Sequence, residues 1–430
     1  MAGGLMQLVA YGAQDVYLTG SPKVTFFQAV YKRHTNFAME NIEQVVNGTA
    51  ANGARLSVTV ARNGDLIGEM YLEMEANVAS VTSTNSAVSG EWVAERAVSD
   101  IELTIGGQRI DKHYQKWWRL YSELYLDEAK KAQYGKMASS AVVGGDGAKN
   151  KVYLPLIFFF NRNPGLYLPL IALQYHEVRL DITLSSLYSN YFSTNGAINA
   201  IKVWGNYVYL DTEERRRFAQ KGHEYLIEQV QHTGVDTVAD ATNGKQVRLS
   251  YNHPVKELVW CFSRGSTSTD NDMWDTSFNN TANVTTVSNV GNANIYATSL
   301  STIGAPLMIA NSNAWVSEEG VGEGSGPLNT FKLILNGQDR FKEQSGKYFN
   351  QVQPFYHHSG NPYLGVYSYS FALKPEEHQP TGTCNFSRID NAQVEIKTKT
   401  ATTKTSMHMF AVNYNVLRIQ SGMGGLAFSN

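Results

Sequence analysis

Hydrophobic and polar residues alternate along much of this chain. The clearest alternating segments lie at 56–60, 70–74, 101–105, 178–184, 331–335 and 410–416. Side chains of a strand point in turn to the two faces of its sheet, so a period of two residues is typical of half-buried strands. Gly, Asn, Asp and Pro residues separate the segments. The pattern predicts many short strands arranged as a β-sandwich or barrel.

Two segments have the period of a helix instead. Trp117, Leu120 and Leu124 are spaced for one helical face within 114–135, and Gly135 can end that helix. A second helix is predicted from Thr212, which precedes two acidic residues, to a break at Gly222. We interpret the first as one short helix inserted in a loop and the second as part of a linker at mid-chain. Stretches rich in Ser, Thr, Asn and Gly, predicted to be long surface loops, lie at 78–90, 139–150 and 266–299.

The chain also contains a faint internal repeat. IELTIGGQRI (101–110) matches FKLILNGQDR (331–340), and each is a strand that runs into a Gly-Gln turn. GNYVYL (205–210) matches VNYNVL (412–417) in the same order. With 430 residues the chain exceeds the ~250 to 300 residues at which single cores stop growing. Two copies of one β domain is the simplest explanation.

Composition excludes several classes of function. The formal charge is −2, and no basic run is longer than 215–217, so direct nucleic-acid binding is not expected. Two cysteines cannot form a disulfide framework, which favours a reducing compartment. The opening MAGGLMQL lacks the features of a secretory leader, and apolar stretches such as 152–160 are shorter than the about 18 residues of a membrane span. We therefore expect a soluble protein.

Motifs that carry catalysis or metal binding are incomplete. HEYLI (223–227) and HEVRL (176–180) lack the second His of a zinc-binding helix, and SGKYF (345–349) follows no glycine-rich loop. His357 and His358 are adjacent, and neighbours in a strand face opposite ways, so they are not expected to share an ion. Aromatic residues between Phe355 and Tyr369 fit a packed β surface better. We predict no enzymatic activity, no bound metal and no cofactor.

The segment SFALKPEEHQPTGTCNFSRIDNAQVEI (370–396) is crowded with reactive side chains. Pro375 and Pro380 bracket a turn, where Glu376 and Glu377 are expected to point into water. A lone Cys384 is typical of a small buried hydrophobe. Arg388 and Asp390 would share one face of an extended segment and form an ion pair that orders it. We interpret the segment as a loop that ties strands together.

Four blocks of the sequence carry a resemblance to a known family. They are LVAYGAQDVYLTGSPKVTFFQAVYKRHTNFAME (8–40), FFFNRNPGLYLPLIALQYHEVRLDI (158–182), GNYVYLDTEERRRFA (205–219) and the 370–396 segment itself. With them the chain resembles the major capsid proteins of large icosahedral double-stranded DNA viruses, most of all those of algal viruses. It departs from them mainly in the loops rich in Ser, Thr and Asn.

The resemblance implies an all-β double jelly roll, made of two tandem eight-stranded antiparallel sandwiches with a short inserted helix and long surface loops. It implies an N-terminal arm at 1–24, a first roll at 25–212, a linker at 213–224 and a second roll at 225–430. The 370–396 segment is then a structural loop of the second roll, without a catalytic role. Its hallmark residues are Pro375, Glu376, Glu377, Pro380, Gly382, Cys384, Arg388 and Asp390.

The resemblance also implies how the protein assembles. Homotrimers of pseudo-hexameric outline would tile an icosahedral shell in the virion, after assembly in the host cytoplasm. Minor capsid proteins would bind the inner face and provide indirect contact with an internal membrane. The helix around Trp117 and Trp118 and the aromatic segment 355–369 are candidates for burial at subunit contacts, with ordinary core packing as the alternative.

Surface glycans are a further expectation. Asn279 and Asn283 stand in Asn-x-Thr patterns within the long polar loop, and Asn280 precedes a Thr, so these three are candidates for glycosylation. Asn385 begins an Asn-x-Ser pattern, but it lies in the structural loop and is expected to be unmodified. Two other functions remain open at this point: a carbohydrate-binding β-sandwich, and a minor capsid paralogue placed at special sites.

Overall fold

We analysed a computed structural model of the chain. The structure describes residues 33–76, 92–139, 150–194, 197–238, 243–263, 326–362, 365–399 and 405–428, together with Gly12 and two short strands within 23–30. Asn279, Asn280 and Asn283 lie outside the described residues, as do most of the arm 1–24 and, apart from end residues, the three polar loops.

Short strands dominate the first half of the described chain, as the alternating pattern predicted. They are β1 Lys23–Val24, β2 Ala29–Val30, β3 Phe37–Gln44, β4 Val46–Asn47, β5 Arg55–Thr59, β6 Leu66–Ala76, β7 Val98–Ile105, β8 Gln108–Tyr114, β9 Asn150–Pro155, β10 Leu168–Pro169, β11 Val178–Leu184, β12 Ser193–Thr194, β13 Ala197–Ile198 and β14 Ile201–Leu210. Sheet I contains β3, β6, β9, β10 and β14, and sheet II contains β4, β5, β7, β8 and β11.

The second half repeats this construction. Its strands are β15 His223–Thr237, β16 Lys245–Leu249, β17 Pro254–Ser263, β18 Leu328–Leu335, β19 Gln338–Asp339, β20 Gln344–Ser345, β21 Val366–Ser370, β22 Cys384–Asn385, β23 Ala392–Thr398, β24 Ser406–Gln420 and β25 Met423–Leu426. Sheet III contains β15, β17, β21, β22, β24 and β25, and sheet IV contains β16, β18, β19, β20 and β23.

The two halves have the same strand order. Sheet I runs β9-β6-β14-β3 and sheet III runs β21-β17-β24-β15, all antiparallel. Sheet II runs β5-β11-β7-β8 and sheet IV runs β16-β23-β18-β19, also antiparallel. Corresponding strands follow one another in the same chain order, so the predicted duplication of a jelly roll is confirmed.

The matched hairpins show why the repeat is visible in the sequence. Ile105 pairs with Gln108 across Gly106-Gly107, and Leu335 pairs with Gln338 across Asn336-Gly337. All four turn residues have positive φ, between 49° and 82°. A two-residue hairpin of this kind needs left-handed backbone at both positions, which favours Gly and Asn.

Helices are short and connect the strands. They are α1 Val93–Arg96, α2 Gln115–Leu124, α3 Glu128–Ala138, α4 Phe159–Arg162, α5 Tyr188–Tyr191, α6 Thr212–Gln220 and α7 Gln353–His357, with a π-helical turn at Tyr348–Val352 and 3-10 turns at Pro164–Leu166, Leu170–Ala172 and Phe386–Arg388. In the chain, helix α6 lies between β14, the last strand of the first half, and β15, the first strand of the second half. Within the described segments, no helix is both long and apolar enough to span a membrane.

The prediction of a single inserted helix over 114–135 is wrong. The segment forms two helices, because Asp127 caps the N-terminus of α3 by accepting a hydrogen bond from the Lys130 amide at 2.7 Å. Gly135 lies inside α3 and does not end it. Trp117 and Trp118 of α2 are 2% and 1% exposed within one chain, which decides for core packing over a subunit contact.

Sheet III is buried on both faces. Leu258 and Trp260 of β17 belong to the core between sheets III and IV. Their neighbours Val259 and Cys261 belong to the core of the first half, with Phe410 of β24. Because successive side chains of a strand face opposite ways, one face of sheet III closes its own roll and the other packs against the first half.

Candidate functional site: a buried ionic network beneath the 375–390 loop

Two adjacent charged residues are buried in the middle of β17. Lys256 and Glu257 are both 0% exposed. The pairing of β17 with β24 shifts between Val255 and Glu257, so Lys256 is the extra residue of a β-bulge. The Lys256 ammonium lies 5.9 Å from the centre of the Tyr125 ring, which belongs to the first half. A bulge changes the direction of the side chains beside it, and here the side chains of Lys256 and Glu257 both point to the region where the two halves meet.

Lys256 joins three separate parts of the chain. Its Nζ lies 2.8 Å from Oε1 of Glu228 on β15 and donates a hydrogen bond of 2.6 Å to the carbonyl oxygen of Pro375. The other carboxylate oxygen of Glu228 accepts a hydrogen bond of 3.1 Å from Arg162 of α4. The network therefore links the first half, sheet III and the start of the 375–390 loop.

The charges of this network depend on one another. Burial alone would raise the pKa of Glu228, but Lys256 and Arg162 lower it below its usual value, so the carboxylate is ionised at neutral pH. Burial lowers the pKa of Lys256, and Glu228 opposes that shift. Removal of any one member would leave a buried charge with fewer opposite charges beside it.

His358 forms the second part of the network. Its Nε2 lies 3.1 Å from Oε2 of Glu257, and its Nδ1 lies 3.3 Å from Oε1 of Glu376. The same Glu376 oxygen accepts a hydrogen bond of 2.8 Å from the Ser359 amide. Burial alone would lower the pKa of His358, but Glu257 and Glu376 raise it to about 9. The imidazolium thus bridges a buried carboxylate of β17 and a carboxylate of the loop.

The segment that carries His358 is held against the inserted helices. The Gly360 amide donates a hydrogen bond of 3.0 Å to the carbonyl oxygen of Leu124 at the end of α2. A Cβ at position 360 would lie 2.4 Å from the carbonyl oxygen of Glu123, so only glycine permits this approach. Lys131 of α3 donates a hydrogen bond of 2.9 Å to the carbonyl oxygen of Asn361. The inserted helices of the first half therefore position the histidine of the second.

One prediction for this region is wrong. His357 and His358 do not lie in a strand but at the end of α7, and the side chain of His358 is buried. Glu376 is exposed, as expected of a turn residue, but its carboxylate is also bound by His358 and the Ser359 amide. Burial would raise the pKa of Glu376, but those contacts lower it. Glu377 is exposed and pairs with Lys374, as expected of a turn residue.

Of the other hallmark residues, some pack against the second core and others are exposed to solvent. Arg388 lies in the 3-10 turn Phe386–Arg388, so it is not extended, and no ion pair joins it to Asp390 in this described segment. Cys384 is half-buried, lies in β22 beside β17 and packs against the second core, and burial raises its thiol pKa. Pro380 is exposed and Gly382 half-buried.

Reasoning from the sequence missed the residues on which the loop depends. Arg162, Glu228 and the adjacent pair Lys256-Glu257 are far apart in the chain and match no motif. The one available signal was the Lys-Glu pair inside the apolar strand HPVKELVWCF (253–262), because charges are rarely buried unless they are paired. Across the described segments, no cluster of three His, Cys, Asp or Glu side chains has a geometry that could hold a metal ion.

Comparison with solved structures defines the class of this protein. The chain superposes on the quasi-atomic model of the PBCV-1 virus capsid with a TM-score of 0.78 and 40% identity, over 94% of this chain and 100% of that chain. Together with the duplicated strand order, this places the chain among the double jelly-roll viral capsid proteins.

The family follows from the sequence comparisons. Residues 25–211 match the model described as major capsid protein N-terminus, and residues 214–425 match that of the large eukaryotic DNA virus major capsid protein. The chain is 43% identical to the major capsid protein of Paramecium bursaria Chlorella virus 1 and 39% identical to that of Phaeocystis pouchetii virus, each over 100% of both chains. It belongs to the family of large eukaryotic DNA virus major capsid proteins, which are structural shell proteins.

We predict that Lys256→Met destabilises the folded chain strongly. The change leaves the buried Glu228 with one cation instead of two and removes the hydrogen-bond donor of the Pro375 carbonyl, and losses of this kind cost about 3 kcal/mol. Chemical denaturation of the purified protein measures the loss. The matched control is Lys374→Met, which breaks the exposed pair with Glu377 and should change stability far less. Equal effects of the two changes would contradict the role of the network.

We also predict that His358 makes stability depend on pH. The pKa of His358 is about 9 in the folded chain, against an ordinary value of 6.5 that applies to the unfolded chain. The stability that the charged His358 adds to the fold is therefore fully present below pH 6.5. The contribution is lost as the pH rises from 6.5 to about 9, because the proton is then released. Melting temperatures of the wild type and His358→Asn, measured across this range, should converge towards high pH. A difference that does not change with pH would refute the prediction.

Proposed function

We propose that three copies of this chain form a trimer of pseudo-hexameric outline and that these trimers tile an icosahedral shell. The observation that carries the proposal is the identical strand order of the two halves. Three chains with two similar rolls each place six similar units around one axis, and a closed ring leaves no unit at an open end. The similarity to a protein of the PBCV-1 virus capsid supports the same arrangement.

The proposal extends to the boundaries and surroundings of the rolls. We infer a first roll at 25–212, a linker at 213–224 and a second roll at 225–430, which the ranges of the two family models support. Minor capsid proteins would bind the inner face of the shell and connect it indirectly to an internal membrane. Assembly would take place in the host cytoplasm.

We further propose that the chain has no enzymatic activity and needs no cofactor. The charged groups buried between the halves form ion pairs with one another. None of these contacts joins a nucleophile to a general base. Their chemistry is that of a structural connection: oppositely charged groups from distant parts of the chain hold the rolls and the loop in one arrangement.

We predict that the purified wild-type chain is a trimer in solution at micromolar concentration. Each chain exposes large apolar side chains, among them Phe355 at 79% and Tyr356 at 72%, which association would cover. Native mass spectrometry should detect a species of three times the mass of one chain. A folded monomer that persists at this concentration would refute the capsomer and favour a carbohydrate-binding sandwich.

We predict that glycans of the virion protein, where present, lie between residues 279 and 283. Asn279, Asn280 and Asn283 stand in the polar loop, whereas the Asn385 side chain accepts a hydrogen bond of 3.0 Å from the Ser387 amide. That contact holds the amide of Asn385 within the structural loop. Glycopeptide mapping of protein from virions provides the measurement. Sugar on Asn385 together with unmodified residues 279–283 would reverse the assignment.

A further inference from the structure

We propose that the joint between the two halves of the chain opens at one end in mild acid. By the joint we mean the contact of the outer face of sheet III with the first half. Two stacked histidines, His232 on β15 and His408 on β24, lie at that end, and the joint closes there only while both are neutral. The joint lies within one chain, so the proposal does not depend on the assembly proposed above.

His232 packs directly against the first half. Its ring centre lies 5.0 Å from that of Tyr114 at the end of β8, and 4.4 Å from that of Phe410. The Phe410 ring in turn lies 5.7 Å from the ring of Trp117 on α2. The Nδ1 of His232 donates a hydrogen bond of 2.9 Å to the Met409 carbonyl, since a carbonyl oxygen only accepts. The imidazole is thus part of an aromatic cluster that spans the joint.

His408 lies beside His232 on the same face of sheet III. The two imidazole rings are 6.2 Å apart, with an angle of 19° between their planes. The Nε2 of His408 lies 2.7 Å from the hydroxyl oxygen of Ser263, the last residue of β17. Cys261, which pairs with His408 across the sheet, belongs to the core of the first half, as does Phe410. Residues 408 and 410 of one strand share a face, so His408 also faces the joint.

Charged groups reach the two histidines from both halves. Lys116 of α2 is buried and acts on His408 from the first half. Asp236, further along β15, acts on His232 and is itself influenced by Lys245 of β16. Other titratable groups of the elements packed here contact further partners: Tyr251 donates to the Met409 carbonyl, Lys112 pairs with Asp100, and Asp111 pairs with His113.

Burial keeps both histidines neutral at pH 7. Burial, together with the positive charges of Lys116 and His232, lowers the pKa of His408 to about 3. Burial lowers the pKa of His232 as well, although the Met409 carbonyl and Asp236 oppose the shift. The pKa of Asp236 is raised by burial, so this carboxylate takes up a proton at a higher pH than an exposed aspartate. Acid therefore favours two new positive charges next to Lys116 and removes the negative charge nearest to them.

The direction of the pH effect follows from these shifts. A histidine with a lowered pKa stabilises the closed joint fully above its ordinary value of 6.5. That stabilisation is lost as the pH falls from 6.5 towards the value in the closed joint, about 3 for His408. Each such histidine raises the open population by up to about tenfold for each pH unit below 6.5, because opening allows it to bind a proton.

The other end of the joint keeps its salt bridges in mild acid. Lys256 and Ser263 are about 23 Å apart along β17, because a strand rises ~3.3 Å per residue. Near Lys256, the pKa of Glu228 is lowered and that of His358 is raised to about 9, so both groups remain charged at pH 5. One end of the joint therefore holds while the other loosens, and the joint acts as a hinge. In a shell built as proposed above, acid would change the angle between two rolls without unfolding either.

Hydrogen exchange measures the two ends of the joint separately. The Val230 amide, near the histidines, donates a hydrogen bond of 3.0 Å to Asp111 of the first half. The Gly360 amide, near the salt bridges, donates one of 3.0 Å to the Leu124 carbonyl. In the full-length wild type, the protection of Val230, corrected for the intrinsic exchange rate, should fall at least about tenfold from pH 7 to pH 5. Protection of Gly360 should fall less than about threefold, and an equal loss at both amides would overturn the hinge.

A substitution separates the histidines from other effects of acid. His408→Gln retains a side-chain amide that can bond to Ser263 but cannot gain a charge, so the fall in Val230 protection should shrink at least about threefold. The matched control is His34→Gln, which replaces an exposed histidine and should retain the wild-type pH dependence. His232→Gln should also reduce that dependence, and it provides the test should His408→Gln fail to fold. A wild-type pH dependence in either folded joint variant would refute the inference.

Discussion

The arrangement of the two rolls depends on the salt bridges buried where they meet. Lys256 and Glu228 are buried, and the transfer of an ion out of water costs so much free energy that each needs an opposite charge close by. The contacts join different elements of the chain. Arg162 of the first half pairs with Glu228, and the Pro375 carbonyl of the loop accepts a hydrogen bond from Lys256. His358, which follows α7, pairs with Glu257 of β17. Because a shift of any element would separate a pair, the network favours one relative position of all of them.

This requirement also explains the character of the 375–390 loop. Its crowded charges suggested a reactive site, yet the structure uses Pro375 and Glu376 as partners for buried cations. A loop whose residues bind buried cations tolerates fewer substitutions than an ordinary surface turn. These contacts tie the segment to β17 and to the end of α7.

The chain uses one β framework in two environments. Sheet III packs on both faces, so Val259 and Phe410 are buried where a solvent-facing strand would carry polar residues. Sheet I has the same strand order but presents Tyr71 and Trp204 in a half-exposed face. Equivalent backbones thus carry outer faces of different polarity within one chain.

The sequence by itself determined the strands, the duplication and the family. Alternation at 70–74 and 101–105 has a strict period because one face of each strand is buried, and the Gly-Gln hairpins recur because their turns need left-handed backbone. The helical period over 114–135 predicts one helix, whereas the cap that Asp127 provides to α3 divides the segment into α2 and α3. Only the tertiary structure decided that Glu376 binds His358 and that Lys256 joins Glu228 to Pro375. The partners in these contacts lie from 18 to 119 residues apart in the chain. No local sequence pattern predicts such contacts, because only the folded chain brings the partners within hydrogen-bonding distance.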